Sequence, residues 1–286
     1  MNMINSEIIQ ERQNEEAYLK IQYAARVCFN SAERYNHLAW IACLISAFSI
    51  FLPNSWSIYI LTGIPFCADI VAAVFSFASS YRVRLASDLR KYFDSYVLNI
   101  GMNQFSETEL RKLREQTERI CLRNQNDVAV QIANTGKDTP PGVREWYVFS
   151  KFYDGIAAQF ECQRQNTWWN SKMFQRRTGI TIILLVILGS AFLVLAINNS
   201  VLNVILCSAG ILLKFFERLV ENCRYISVSR LIDGSLQTIE VHPTEEGIAQ
   251  LQTFIDERRS INVLEFDQIH KRIARKLSEM YEKTAL

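Results

Sequence analysis

Charged residues are nearly absent from two long stretches of this chain, and that absence constrains the fold more than any other feature. Residues 38–81 and 180–216 hold almost no Asp, Glu, Lys or Arg, although the chain of 286 residues has 31 basic and 29 acidic side chains. A bilayer core about 30 Å thick is crossed by roughly 20 residues of α-helix. These stretches therefore predict membrane spans.

Each charge-poor stretch divides into two predicted spans. The first stretch contains residues 38–52 and 57–81, and the second region contains residues 179–197 and 201–216. Short polar turns join the members of each pair, so the sequence predicts two transmembrane hairpins.

The distribution of charge around the spans predicts their orientation. Lys and Arg flank the inner ends of all four spans, whereas both hairpin tips are uncharged. Under the positive-inside rule, both termini and the central region are cytoplasmic. The predicted order is a cytoplasmic N-terminal helix (1–36), transmembrane hairpin 1 (37–81), a cytoplasmic helical region (82–178), transmembrane hairpin 2 (179–216) and a cytoplasmic C-terminal helical tail (217–286).

Helical spacing of apolar residues continues outside the spans, and no segment alternates as a strand would. Ser106 and Glu109 form a capping box that predicts a helix of about 25 residues. Residues 134–142 are the clearest loop, and a further helix is predicted from Val143 into the third span. The chain is therefore predicted to be an all-α membrane protein. The other predicted helices are residues 5–36, a cytoplasmic continuation of the second span, residues 245–259 and residues 264–283.

Catalytic and metal-binding motifs are missing from the sequence. It contains no phosphate-binding glycine loop, no His-Glu-x-x-His and no Gly-x-Ser-x-Gly. His37, His242 and His270 lie far apart, and the seven cysteines form no Cys-x-x-Cys pair. A net charge of +2 without a dominant basic stripe also gives no indication of binding to a nucleic acid polymer. We therefore predict neither an enzyme, nor a metal site, nor a cofactor.

A cluster of amide and aromatic side chains lies between the loop and the third span. On a helix, Gln159, Gln163, Asn166 and Asn170 share one side. Aromatic planes can stack on a nucleobase and amides can bond its edges, while basic residues suit phosphates. The sequence therefore predicts a nucleotide site or, equally, a structural polar cluster. The candidate ligand residues are Arg144, Trp146, Tyr147, Gln163, Arg164 and Asn166.

Trp168 and Trp169 follow this cluster about ten residues before the third span. Tryptophan is enriched where a protein crosses the membrane–water interface. This pair is therefore interpreted first as part of an interfacial aromatic belt, with a role in stacking as the alternative.

An acid within the second span, Asp69, forms the other candidate site. Pro65 lies four residues earlier and removes a helical hydrogen bond, which predicts a kink. Ala68, Ala72 and Ser76 recur every four residues, and small residues let helices approach closely. Asp69 is expected to point into the bundle, either neutral and bonded to a hydroxyl such as that of Thr62 or Ser76, or lining a water-filled path in the assembled state. The candidate gate residues are Pro65, Asp69, Ala72 and Ser76.

Residues 140–169, PPGVREWYVFSKFYDGIAAQFECQRQNTWW, resemble the SMODS-associating four-transmembrane effector family of bacterial CBASS antiphage defence. The Trp-Tyr pair, the Gln-x-x-Asn pattern and their position between two hairpins resemble that family together. The resemblance implies a partner nucleotidyltransferase of the cGAS/DncV-like kind that makes a cyclic di- or oligonucleotide. It implies an effector in the bacterial inner membrane that responds by damaging the lipid bilayer and causing abortive infection.

Four spans are too few to enclose a wide pore, so a homo-oligomer is expected to form the membrane lesion. Two other functions fit the same spans. One is a constitutive channel or transporter subunit for ions or small solutes, although transporters usually have more spans. The other is a membrane-anchored scaffold that binds a protein through its last amphipathic helix.

Overall fold

The structure is a computed structural model that describes residues 4–52, 56–198 and 201–262. Within these ranges the chain is helical and contains no strand, which confirms the all-α prediction. Short 3-10 turns cover Ser49–Phe51 and Met102–Gln104. The helices are α1 (Ser6–Gln13), α2 (Glu16–Phe48), α3 (Ile58–Val97), α4 (Glu107–Arg123), α5 (Gln125–Ala133), α6 (Gly155–Asn198), α7 (Val201–Val241) and α8 (Glu245–Ser260).

The chain divides into two compact units. The polar unit contains the described residues of 1–30, 82–170 and 227–261, and the apolar unit contains those of 31–81 and 171–226 with Asn262. Helices α2, α3, α6 and α7 each contribute residues to both units. The same four helices contain the four predicted spans.

The apolar unit exposes many large apolar side chains. Phe77 of α3 is 77% exposed and Leu213 of α7 is 68% exposed, and α2 and α6 expose similar side chains. Soluble proteins rarely present large continuous apolar patches to water, so these surfaces suit lipid. Among the residues that the structure describes, the helical segment Tyr59–Val97 is the one long and apolar enough to cross a bilayer.

Small side chains form much of the core of the apolar unit. Ala42 and Cys43 of α2 and Ala72 of α3 pack with Ile211 and Phe215 of α7. Three helices can therefore approach one another closely, as the spacing of small residues in the second span predicts.

Local capping signals fix several helix ends in the polar unit. The Ser106 hydroxyl accepts from the Glu109 N–H, and the Glu109 carboxylate accepts from the Ser106 N–H. The predicted capping box is therefore confirmed. The predicted helix of about 25 residues is instead two helices, because the chain breaks at Asn124 between α4 and α5. Helix α8 begins after the Thr244 cap, close to its predicted start. The predicted helix 264–283 lies outside the described residues.

The prediction of a helix from Val143 is wrong, since α6 begins only at Gly155. Two glutamine side chains hold the preceding segment, residues 143–154, in a non-helical path. Gln13 accepts from the Tyr147 N–H (2.7 Å) and donates to its carbonyl (3.0 Å). Gln165 makes the same pair with Val148, at 3.2 and 2.7 Å. Because these long-range bonds satisfy the backbone, the segment does not need helical bonds of its own.

Candidate functional site

Tyr147 is at the centre of the polar cluster, and it is buried. Its side chain is 1% exposed. Its hydroxyl donates to Asp94 Oδ1 (2.6 Å) and accepts from Asn166 Nδ2 (2.8 Å). Burial and then the Asp94 carboxylate raise the pKa of Tyr147 well above its usual value. The phenol therefore stays protonated. Its two hydrogen bonds join the segment 143–154 to helices α3 and α6.

The Asp94 carboxylate accepts hydrogen bonds from three side chains in two parts of the chain. Besides Tyr147, it accepts from Arg259 Nη1 (2.6 Å) and Gln252 Nε2 (3.2 Å) of α8. Burial opposes the charge of Arg259, but Asp94 and then Asp256 raise its pKa above the usual value. A buried acid is tolerated only when its oxygens are paired in this way. We call Asp94, Tyr147, Gln163, Asn166, Gln252 and Arg259 the Asp94 network.

Gln163 extends the Asp94 network into helix α6. It is 0% exposed, and its Nε2 donates to Gln252 Oε1 (3.1 Å) and to the Ile248 carbonyl (3.2 Å). Its own Oε1 is buried without a hydrogen-bond partner among the described residues. An unsatisfied buried oxygen is costly. The Gln163 amide therefore joins the network through its N–H groups alone and keeps one acceptor that no described residue uses.

The three remaining ligand candidates lie at the surface, and one of them, Trp146, also donates its indole N–H to Asn166 Oδ1 of the Asp94 network (3.5 Å). Arg144 Nε donates to the Ile132 carbonyl (3.2 Å), and Arg164 pairs with Glu161 (2.8 Å). Trp146 is 37% exposed, and its ring lies on the Arg90 guanidinium, whose Cζ is 4.0 Å from the ring centroid. The structure thus brings Tyr147, Gln163 and Asn166 together and leaves Arg144, Trp146 and Arg164 at the surface. The side chains of Trp168, Trp169 and Asn170 lie outside the described set.

Asp256 gives the Asp94 network a dependence on pH. Burial raises the pKa of Asp256 to about 6, although Arg259 opposes the shift. The folded protein therefore takes up this proton at a higher pH than the unfolded chain, where an Asp titrates near 4. Asp256 favours folding below about pH 4, and that contribution is lost as the pH rises through 6.

Asp256→Asn is expected to remove this dependence. Relative to the variant, the parent protein should lose about 2 kcal/mol of unfolding free energy between pH 4 and 7. Urea unfolding of the purified full chain in detergent at four pH values measures it. Glu240→Gln, on an exposed position of α7, is the control and should follow the parent. Parallel pH curves for parent and Asp256→Asn would contradict the assignment.

Several members of this network could not be identified from sequence patterns. Asp94 lies in the amphipathic continuation of the second span, directly after the buried Phe93. An acid on the buried side of such a helix indicates an ion pair. Its partner Arg259 is 165 positions away, and no pattern within one helix identifies it.

In the apolar unit, Asp69 lies against a glycine of helix α7. A Cβ on Gly210 would collide with the Asp69 carboxylate, so α3 and α7 approach as closely as this glycine permits. Asp69 Oδ1 is buried and has no hydrogen-bond partner within the described part of the chain. Helix α3 continues as an α-helix through Pro65.

Ser76, which was a candidate partner for Asp69, is bonded to a lysine. Lys214 Nζ donates to Ser76 Oγ (2.8 Å) and to Glu217 (2.9 Å), and Lys214 is buried. An ammonium inside an apolar bundle needs such partners. Three of the predicted gate residues, Asp69, Ala72 and Ser76, therefore meet residues of α7.

Comparison with known families gives one match, and it covers nearly the whole chain. A family model described as the SMODS-associating 4TM effector domain matches residues 7–285. No curated protein and no solved structure gives a significant match. The sequence-based resemblance is thereby confirmed, and four transmembrane segments agree with the apolar runs within α2, α3, α6 and α7.

Proposed function

Because this chain belongs to the family of SMODS-associating 4TM effector domains, we propose that it is the membrane effector of a cyclic-oligonucleotide antiphage system. A cyclic di- or oligonucleotide made by a cGAS/DncV-like nucleotidyltransferase binds the polar unit. Protomers then assemble and open a pore in the inner membrane or disrupt it, which causes abortive infection. Both termini are cytoplasmic in this proposal. The family match over residues 7–285 is the observation that carries it.

The division of the chain into two units supports a sensor joined to a membrane lesion. The apolar unit exposes a lipid-compatible surface, and the polar unit contains the Asp94 network. Helix α3 carries both Asp69 and Asp94. A ligand that changes the contacts of Asp94 therefore acts on the helix that also carries the candidate gate.

The six ligand candidates divide into two roles. Arg144, Trp146 and Arg164 are exposed and supply charge and a stacking surface for a nucleotide. The second group keeps the segment 143–154 in place through the Asp94 network and consists of Tyr147, Gln163 and Asn166. We place the contacts with the ligand on the first group and the coupling to α3 on the second.

The proposal sets a requirement for the ligand. Shifting a population from 1:99 to 99:1 requires about 10⁴-fold tighter binding to the favoured state, or about 5.5 kcal/mol. A compact phosphodiester ring that engages several arginines and an aromatic plane provides interactions of that size. The ligand must make those contacts in the open assembly and lack some of them in the closed protein.

Dye release from liposomes tests this function. The purified full chain is reconstituted, and a panel of cyclic di- and trinucleotides is added to liposomes loaded with a self-quenching dye. Release that depends on one nucleotide is the expected result. Release without nucleotide would support a constitutive channel instead, and no release with any nucleotide would support a scaffold.

Variants of the exposed group sharpen this test. Arg164→Ala and Trp146→Ala should reduce nucleotide-dependent release about tenfold or more, because each removes a charged or stacking contact. Arg111→Ala, an exposed ion-pair residue of α4, should release dye like the parent. Equal release by all three variants would remove Arg164 and Trp146 from the ligand site.

A further inference from the structure

Arg90 of helix α3 is a buried cation without an anion. It is 9% exposed. Within the ranges that the structure describes, its guanidinium makes no hydrogen bond and no ion pair, and its one recorded side-chain contact is the ring of Trp146. A largely buried guanidinium that makes no hydrogen bond to the protein keeps its donors available for a ligand.

The carboxylate one helical turn after Arg90 does not bond to it. Asp94 lies four residues later, the spacing at which an Arg and an Asp normally pair. Its Oδ1 accepts from Tyr147 (2.6 Å), and its Oδ2 accepts from Arg259 (2.6 Å) and Gln252 (3.2 Å). Asp94 is therefore occupied by other donors, and Arg90 is left out of the Asp94 network.

Charges of both signs lie around Arg90. Burial and then the charge of Arg259 lower the pKa of Arg90 to about 9, Asp94 opposes this shift, and Arg26 of α2 adds to it. Arg90 still carries its charge at pH 7. Arg26 itself donates to neutral acceptors, Gln131 Oε1 (2.9 Å) and the Pro141 carbonyl (2.7 Å). Arg259 is already paired with Asp94 and Asp256, so the attraction for an anion from solution comes mainly from Arg90 and Arg26.

The Trp146 ring lies over the Arg90 guanidinium and is itself partly exposed to solvent. Movement of this one side chain would present a planar cation with several unused donors. Such a guanidinium suits the paired oxygens of a phosphate.

We propose that Arg90 is a further phosphate-binding residue of this chain, and that it takes a phosphodiester anion whose entry displaces the Trp146 ring. That the anion belongs to a cyclic nucleotide rests on the proposed function. The anion supplies acceptor oxygens for the guanidinium donors to which Asp94 does not bond. Arg26 strengthens its attraction without being its main ligand.

Binding measurements on the full chain in maltoside micelles, which contain no phosphate, test this site. Inorganic pyrophosphate and the panel of cyclic di- and trinucleotides are titrated separately, and both affinity and melting temperature are measured. The variant is Arg90→Met, which keeps the length of the side chain and removes its charge. Arg111→Met, at an exposed ion pair of α4, is the matched control.

Arg90→Met should weaken the binding of pyrophosphate and of the active nucleotide about 10- to 100-fold, whereas Arg111→Met should bind like the parent. Without ligand, Arg90→Met should melt at the same temperature as the parent or higher, because it removes an unpaired buried charge. A structural cation would give the opposite result, a clear loss of melting temperature without ligand.

Each other outcome decides one of the two proposals. Nucleotide binding that is unchanged in Arg90→Met overturns the phosphate site and leaves the proposed function standing. Arg90-dependent binding of pyrophosphate with no nucleotide bound supports the site and overturns the nucleotide assignment. Stabilisation by added phosphatidylglycerol alone would place a lipid headgroup at Arg90 and overturn the soluble ligand. No binding of any phosphate compound overturns both.

Discussion

Asp94→Ala is expected to lower the free energy of unfolding by about 3 to 5 kcal/mol, since it breaks a buried ion pair. The change leaves Arg259 with Asp256 at 3.5 Å as its remaining carboxylate contact, and the Tyr147 hydroxyl loses its acceptor. Gln252 also loses one of its two carboxylate partners. Urea unfolding of the full chain in detergent, followed by tryptophan fluorescence, measures the loss.

A double-mutant cycle separates this ion pair from general damage. Arg259→Met alone should also destabilise the protein, because Asp94 then becomes an unpaired buried acid. The double variant Asp94→Ala with Arg259→Met should be less destabilised than the sum of the two single variants by about 1 to 3 kcal/mol. Additive losses would show that the two side chains do not depend on each other.

Gly210→Ala is expected to have the largest effect in the apolar unit. A methyl group at this position would collide with the Asp69 carboxylate. Either Asp69 must move or helices α3 and α7 must separate, and overpacking of this kind costs about 1 to 3 kcal/mol. The melting temperature of the full chain in micelles should fall by several degrees. In liposomes, the proposed function predicts that the separated helices leak dye without nucleotide.

Two matched changes test the collision itself. An added Cβ meets no atom within 4 Å at Gly63 or at Gly189, so Gly63→Ala and Gly189→Ala should leave the melting temperature unchanged or raise it, since alanine favours helix. Asp69→Ala should restore most of the melting temperature lost in Gly210→Ala, because it removes the colliding atoms. Failure of this rescue would mean that Gly210 matters for another reason.

The spans and the first turns of several helices could be predicted from the sequence because their causes are local. The lack of charge in the two stretches and the capping box at Ser106 are both properties of neighbouring residues. The start of α6 could not be predicted in this way. Residues 143–154 keep an apolar pattern that suits a helix, but Gln13 and Gln165 bond to the backbone of Tyr147 and Val148 and hold the segment in a non-helical path.

The candidate sites were predictable in part for the same reason. The pattern identified Tyr147 and Gln163 as members of one cluster, and it identified Asp69 as an acid facing other helices. It did not distinguish buried members from exposed ones. It also missed Arg90, because the absence of a partner is visible only when Asp94 is seen bonded to Arg259.

The glutamine bonds to Tyr147 and Val148 have a consequence for how such a sensor can evolve. Gln13 and Gln165 bind main-chain atoms, which every residue type provides, so the path of the segment does not depend on the side chain present at position 148. Val148 is exposed, as are Glu145 and Trp146. Under the proposed function, substitutions there alter which ligand is preferred while the framework stays the same, much as variable loops diversify on a constant scaffold.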